Sequence, residues 1–168
     1  PSDFNGIARV IDDALVVFSP DGGSVVNKYV ESVTSTPDYK SWTVKLPKGA
    51  KLSNGDPFTT ADIMFWYKDA LQNKDLTPTL PGWMQNKDAS LVEVKQVDEV
   101  TAVWNYKEPH TTFLFELANA EYGDKNIPCF LPNKFLKPFH ASYADKATLD
   151  KLVADAKFKT WPELFRIK

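Results

Sequence analysis

The first half of the chain alternates apolar and polar residues. Trp42, Val44 and Leu46 lie on one face of an extended segment, with polar residues between them. This period of two predicts a half-buried strand. The stretch 14–26 predicts two shorter extended pieces joined by a turn at 20–23, where Pro, Asp and two Gly residues follow one another.

The clearest hairpin spans residues 91–106. Val92 and Val94 alternate with charged residues, and we expect the turn at residues 98–99. One face of the return strand carries Ala102, Trp104 and Tyr106.

A helix is predicted to follow the polar turn at 49–57. Thr59 and Asp62 have the spacing of a capping box, in which each side chain accepts a hydrogen bond from the other residue's backbone. The next apolar residues recur at helical spacing and predict about three turns of amphipathic helix. These residues are Ile63, Trp66, Tyr67, Ala70 and Leu71.

Shorter helices are predicted in the second half. One follows Pro109 over 111–120, and a helical turn falls at 133–136 between prolines. Asp145 is expected to cap a helix, and Thr160 with Glu163 predicts a second capping box. The apolar face of the Asp145 helix would carry Leu149, Leu152, Val153 and Ala156. Together these elements predict the α+β class, with an antiparallel sheet packed against helices.

Composition limits the classes of function. A chain of 168 residues with 43% hydrophobic residues can bury one good core, so we expect a single domain. Twenty Lys and Arg against 22 Asp and Glu give a net charge of -2. This balance argues against a nucleic-acid partner. No run of about 18 apolar residues occurs, so no membrane-spanning helix is expected.

Residues that carry chemistry are scarce. Cys129 is the single cysteine, which excludes a disulfide framework within the chain and a cysteine metal cluster. His110 and His140 lie far apart, and neither has a partner at metal-ligand spacing. No phosphate-binding loop or nucleophile motif is present. We therefore expect no enzyme activity, no metal site and no cofactor.

Residues 42–71 closely resemble the signature of the bacterial extracellular solute-binding proteins, family 5, which serve ABC transporters for peptides and nickel. The matching residues are Leu46, Gly49, Lys51, Ser53, Asn54, Gly55, Pro57, Phe58, Thr59, Ala61 and Asp62. Pro47 stands where the family usually has Arg, and Thr60 is an insertion unless it is itself the family threonine and the spacing shifts by one. The later hairpin also resembles a family motif, through Val92, Val94, Asp98, Thr101 and Val103, as does the segment 127–140.

The resemblance implies a fold and a function. It implies part of a two-lobed, type II periplasmic-binding-protein fold, with 10–140 as the additional subdomain of the first lobe and 141–168 as a C-terminal helical segment. Family members are much longer, so we expect a fragment whose partners are a second lobe, a peptide or oligosaccharide solute and ABC permease subunits. The implied location is extracellular or periplasmic, with lipoprotein anchoring in the full-length protein, and we expect a monomer.

The polar turn itself is interpreted as architecture. Its Gly, Asn and Asp residues suit backbone with positive φ, and its threonine suits a helix cap. We therefore expect residues 49–57 to direct a strand into a helix and not to contact solute.

Three residues are candidates for ligand binding. Trp83 and Met84 lie between Pro81-Gly82 and a charged run, where a loop tip would present apolar groups. The alternative for Trp83 is that it folds back on the sheet as a satellite core residue. Tyr122 is the third candidate, and its alternative is also a structural role. A protein–protein interaction domain without solute binding is the alternative function.

Overall fold

A short hairpin comes first in the part of the chain that the structure describes. The computed structural model describes residues 15–119 and 129–168. Strand β1 (Val16–Phe18) pairs antiparallel with β2 (Val25–Asn27). The Ser19 backbone N–H donates to the Ser24 carbonyl at 2.8 Å across the connecting turn. The predicted strand, turn and strand are thus confirmed.

The central sheet has four antiparallel strands in the part of the chain that the structure describes. They are β3 (Ser32–Ser35), β4 (Ser41–Lys45), β5 (Glu93–Gln96) and β6 (Thr101–Asn105). Their spatial order is β3-β4-β6-β5. The predicted hairpin 91–106 is confirmed as β5 and β6, and its register places Val94 opposite Trp104. Trp104 also lies opposite Trp42 of β4, so the apolar residues share one face of the sheet.

Within residues 15–119 and 129–168, five short α-helices accompany the sheet. They are α1 (Thr60–Phe65), α2 (Phe113–Asn119), α3 (Asn133–Leu136), α4 (Lys146–Asp155) and α5 (Trp161–Phe165). Helix α1 continues without a break as π-helix over Trp66–Leu71, so the predicted three-turn helix is present but changes its hydrogen-bond pattern halfway. Short 3₁₀ turns occur at Gly82–Met84 and Lys137–Phe139.

Thr59 is the residue that caps α1. Its side chain accepts from the Ala61 N–H, and the Thr59 N–H donates to the Asp62 carboxylate at 2.9 Å in a capping box. Thr60 has another role, because its buried hydroxyl donates to the carbonyl of Asp98 and accepts from Gln96. Thr60 therefore connects the helix to the β5–β6 hairpin and leaves the Thr59 cap in place.

The polar turn before α1 has the backbone that its composition predicts. Gly49 and Gly55 have φ of 74° and 86°, values that favour glycine. Lys51 forms an isolated antiparallel bridge with Pro57, which closes the turn. Its interpretation as a connector between strand and helix is consistent with this geometry.

The core lies between the sheet and α1. Five large apolar residues of the sheet and of the helical segment are buried: Trp42, Val44, Ile63, Trp66 and Trp104. Helix α1 packs against β5 and β6, which covers the apolar face of the sheet. Within the described residues, no helix is both long enough and apolar enough to cross a membrane.

Helices α4 and α5 enclose a smaller apolar cluster of Leu149, Val153 and Leu164. Asp145 caps α4 by accepting from the Thr148 N–H at 2.9 Å, and Thr160 with Glu163 forms the second capping box, both as predicted. Ala156 is exposed and ends α4, so its assignment to the apolar face was wrong. The division of the chain at residue 140 stays a prediction.

Candidate functional site

Trp83 lies in a loop that packs on the core. We call residues 81–91 the Trp83 loop. The indole of Trp83 is half-buried and stacks on the indole of Trp66, with ring centroids 6.0 Å apart and planes inclined by 11°. The edge of Phe113 approaches it at a centroid distance of 6.3 Å. Trp83 therefore combines core packing with a partly exposed aromatic surface.

Met84 is completely buried, at 0% exposure. This corrects the expectation that both side chains extend from the tip of a loop. The 3₁₀ turn Gly82–Met84 points the side chains of Trp83 and Met84 in different directions. Met84 enters the core, whereas Trp83 packs against the core and stays partly exposed. In this conformation the Met84 side chain has no surface with which to contact a solute.

Two residues at the end of β6 bind the Trp83 loop. The Tyr106 hydroxyl donates to the Trp83 carbonyl at 3.1 Å. The Lys107 N–H donates to the side-chain carbonyl of Asn86 at 2.9 Å, and the Lys107 ammonium pairs with Asp88 at 2.6 Å. Asn86 is itself buried. The loop is thus fixed by hydrogen bonds within its 3₁₀ turn and in the residues that follow it.

Asp88 connects the Trp83 loop to Lys107 through an ion pair. The Lys107 side chain is the main reason that the pKa of the Asp88 carboxyl lies far below its usual range, and hydrogen bonds from Ser90 add to the effect. Both side chains of the pair are more than half exposed, so solvent screens the attraction. The pair orients the loop more than it stabilises the fold.

Tyr106, whose hydroxyl binds the Trp83 carbonyl, belongs to a stacked pair of rings. The ring of His110 lies flat on Tyr106, with centroids 4.1 Å apart and planes inclined by 5°. The other end of His110 contacts the Glu116 carboxylate through Nε2. Tyr106 is buried, and burial raises the pKa of its hydroxyl well above the usual range, with the Glu116 charge as a second cause. The hydroxyl therefore remains a hydrogen-bond donor at any physiological pH.

Sequence reasoning did not find the contact between His110 and Glu116. The two residues are six positions apart, a spacing that matches no regular helix or strand. They meet because His110 precedes the first turn of α2 and Glu116 lies within that helix. The local signal available in the sequence is the four-residue spacing of Thr112 and Glu116. In the structure the Thr112 hydroxyl donates to the Glu116 carboxylate at 3.1 Å.

The third sequence candidate is Tyr122. Tyr122 lies outside the described residues. Over 15–119 and 129–168, no three His, Cys, Asp or Glu side chains come together in a way that could hold a metal ion.

Known proteins resemble this chain in sequence and in structure. A periplasmic alpha-galactoside-binding protein of Rhizobium meliloti is 32% identical over 108 residues, which are 64% of this chain and 15% of that protein. The periplasmic oligopeptide-binding protein OppA of Haemophilus influenzae is 43% identical over 53 residues, which are 32% of this chain and 10% of that protein.

A solved structure of an oligopeptide-binding protein OppA superposes with a TM-score of 0.83 at 30% identity and covers 98% of this chain. The match occupies 24% of the OppA chain, so this sequence spans about a quarter of the length of that relative. The structural relatives are two-lobed periplasmic binding proteins. The profile described as bacterial extracellular solute-binding proteins, family 5 Middle, matches residues 24–160, and the chain therefore belongs to this family.

Proposed function

We propose that this chain is part of the substrate-binding component of an ABC transporter, which captures a peptide or an oligosaccharide outside the membrane and delivers it to permease subunits. The observation that carries the proposal is the half-buried indole of Trp83, which is stacked on Trp66 and fixed by the end of β6. Peptide-binding and galactoside-binding relatives support the two solute classes.

Trp83 is suited to solute contact because it is rigid and partly exposed. An indole that is already ordered loses little conformational freedom when a ligand packs against it. Its exposed surface can cover an apolar side chain of a peptide or the apolar face of a sugar ring. Tyr122 remains a second proposed contact. Met84 is buried in the core and is not proposed as a solute contact.

The proposed location is extracellular or periplasmic, with the full-length protein a monomer anchored as a lipoprotein. No enzyme activity is proposed. Because the chain spans 24% of the matched OppA chain, we propose that further polypeptide supplies the opposite wall of the solute site. A solute on one wall keeps much of its surface in water, so this chain alone should bind with a dissociation constant of about 1 mM, equivalent to about -4 kcal/mol.

NMR of the five indole N–H groups tests the solute contact. The Trp83→Phe variant identifies the Trp83 signal by its loss. Titration with mixed oligopeptides or with alpha-galactoside oligosaccharides to about 10 mM should shift this signal, given the weak affinity expected. The indole of Trp161 is the matched control, since it is also half-buried but lies on α5.

Three outcomes would oppose the proposal. If the Trp83 signal stays fixed with every solute, Trp83 makes no solute contact. If the Trp161 signal moves equally, binding is nonspecific. A solute that binds this chain with a micromolar dissociation constant, as measured by calorimetry, would show that no opposite wall is needed.

A protein–protein interaction domain is the second candidate. It is favoured by exposed aromatic side chains away from Trp83, namely Phe115, Phe135 and Tyr143. Phe115 contacts Phe18 at a centroid distance of 6.1 Å, so α2 and β1 share an apolar surface. An unchanged Trp83 signal together with solute-independent binding of permease subunits by this chain would favour this candidate.

A further inference from the structure

Tyr106 is the described residue whose side chain bonds to the backbone of Trp83. Its hydroxyl donates to the Trp83 carbonyl at 3.1 Å, while its ring is buried at the end of β6. A bond to the backbone of Trp83 limits the rotation of the peptide that carries the indole. The orientation of the indole therefore depends on where the Tyr106 ring lies.

The Tyr106 ring is fixed by His110. The two rings are nearly parallel, with an angle of 5° and a centroid distance of 4.1 Å, so His110 covers one face of the tyrosine. The far edge of His110 contacts Glu116 on α2. Glu116 in turn accepts from the Thr112 hydroxyl.

The backbone of His110 is fixed as well. Its N–H donates to the Tyr39 carbonyl at 2.9 Å, and its carbonyl accepts from the Trp42 indole N–H at 3.0 Å. His110 is thus bound to the sheet through its backbone and to α2 through its side chain. It cannot move away from Tyr106 without breaking contacts to both.

We propose that Tyr106, His110 and Glu116 are positioning residues, which orient the Trp83 indole without contacting the solute. Each acts through the next: Glu116 orients His110, His110 covers Tyr106, and Tyr106 binds the Trp83 backbone. The inference rests on the proposed function for its consequence, since an indole of fixed orientation is needed only if Trp83 receives a solute. The ring of Phe113 contacts the rings of both Tyr106 and Trp83.

Fluorine NMR of protein labelled with 5-fluorotryptophan tests this proposal without any solute. Because the indoles of Trp66 and Trp83 are stacked, we expect the ring current of Trp66 to displace the Trp83 signal from its position in the unfolded chain. In Tyr106→Phe, which keeps the ring and loses the hydroxyl, the Trp83 signal should move part of the way back towards its unfolded position as the stacking loosens. His110→Ala should move it in the same direction, because Tyr106 loses its ring partner.

Conservative variants separate positioning from a general loss of stability. His110→Phe restores a flat ring over Tyr106 and should bring the Trp83 signal back towards its native position. Glu116→Gln keeps a hydrogen-bonding side chain and should have a smaller effect than His110→Ala. Tyr143→Phe is the matched control, since it removes a tyrosine hydroxyl that donates to Asp69 and not to Trp83.

The signal of Trp161 should stay in place in every variant that remains folded. If Tyr106→Phe and His110→Ala both leave the Trp83 signal unmoved, the positioning role is wrong. An equal shift in Tyr143→Phe would also overturn it. The solute titration is a separate measurement, so a Trp83 that binds no solute can still be shown to depend on Tyr106.

Discussion

The buried carboxylate of Asp62 accepts two hydrogen bonds from Asn133, one from the backbone N–H at 2.9 Å and one from the side-chain amide at 2.8 Å. Its other oxygen completes the capping box with Thr59. A single carboxylate therefore joins the start of α1 to the start of α3, which lies 71 residues later. Burial makes these bonds important, because a charge removed from water needs donors on both oxygens.

Neighbouring contacts connect the same two segments. Phe58 and Phe130 have ring centroids 4.7 Å apart, and Lys134 pairs with Asp56. The Leu131 N–H donates to the Asp62 carbonyl at 3.1 Å. The polar turn and the segment before α3, recognised separately in the sequence, are thus physical partners.

We predict that Asp62→Ala lowers the free energy of unfolding by about 2–4 kcal/mol, because it removes the Asp62 side of the capping box and leaves the partly buried donors of Asn133 unpaired. Asn133→Ala should cost less, about 1–2 kcal/mol, since it removes the side-chain donor and keeps the backbone one. Urea unfolding followed by fluorescence measures both. Asp75→Ala, at an exposed position, is the control, and an equal loss there would contradict the prediction.

A second pair of variants tests backbone conformation. Gly55 has a φ of 86°, and no atom lies within 4 Å of the position where a Cβ would be built. Gly55→Ala should therefore destabilise the fold by about 1 kcal/mol through strain alone. Gly82 has equal space without a positive φ, so Gly82→Ala should be neutral or stabilising by up to about 1 kcal/mol. Equal unfolding midpoints for the two variants would refute the argument.

Two buried tryptophans differ in hydrogen bonding. The indole N–H of Trp42 donates to the His110 carbonyl at 3.0 Å, whereas that of Trp104 is buried and has no partner among the described residues. Trp42→Phe should thus destabilise the protein by about 1 kcal/mol more than Trp104→Phe, because only the first leaves a carbonyl unpaired. Thermal and urea unfolding of the two variants give this difference. A larger loss for Trp104→Phe would show that cavity formation outweighs the hydrogen bond.

We predict that the pKa of the Asp88 carboxyl depends on Lys107. Its pKa lies below the ordinary value of 3.8, first because the Lys107 side chain donates to it. A lowered pKa in the folded state means that the carboxylate adds stability above about pH 4, and that this contribution is lost as the pH falls towards the folded value. In Lys107→Ala the pKa of Asp88 should rise towards 3.8, as followed by NMR titration. Lys74→Ala is the control and should leave it unchanged.

Local chemistry let the sequence predict much of the fold. Alternation with a period of two predicted β4 and the β5–β6 hairpin, because side chains on a strand point to opposite faces. Spacing of three residues predicted the capping boxes at Thr59 and Thr160, because that distance brings a side chain to an unpaired N–H. The family signature likewise depends on residues that are neighbours in the chain.

The candidate site depended on contacts between distant residues. The sequence indicated Trp83 through the composition of the segment around it and its position outside the predicted elements. Its stacking on Trp66 and the burial of Met84 follow from how the Trp83 loop packs on the core. The contact of His110 with Glu116 has no regular spacing to reveal it. The capping role of Asp62 was readable from the sequence, whereas its bonds to Asn133 required the two segments to meet. Local spacing therefore determined the elements, and only tertiary packing decided which side chains face solvent and which become partners, because burial depends on the whole chain.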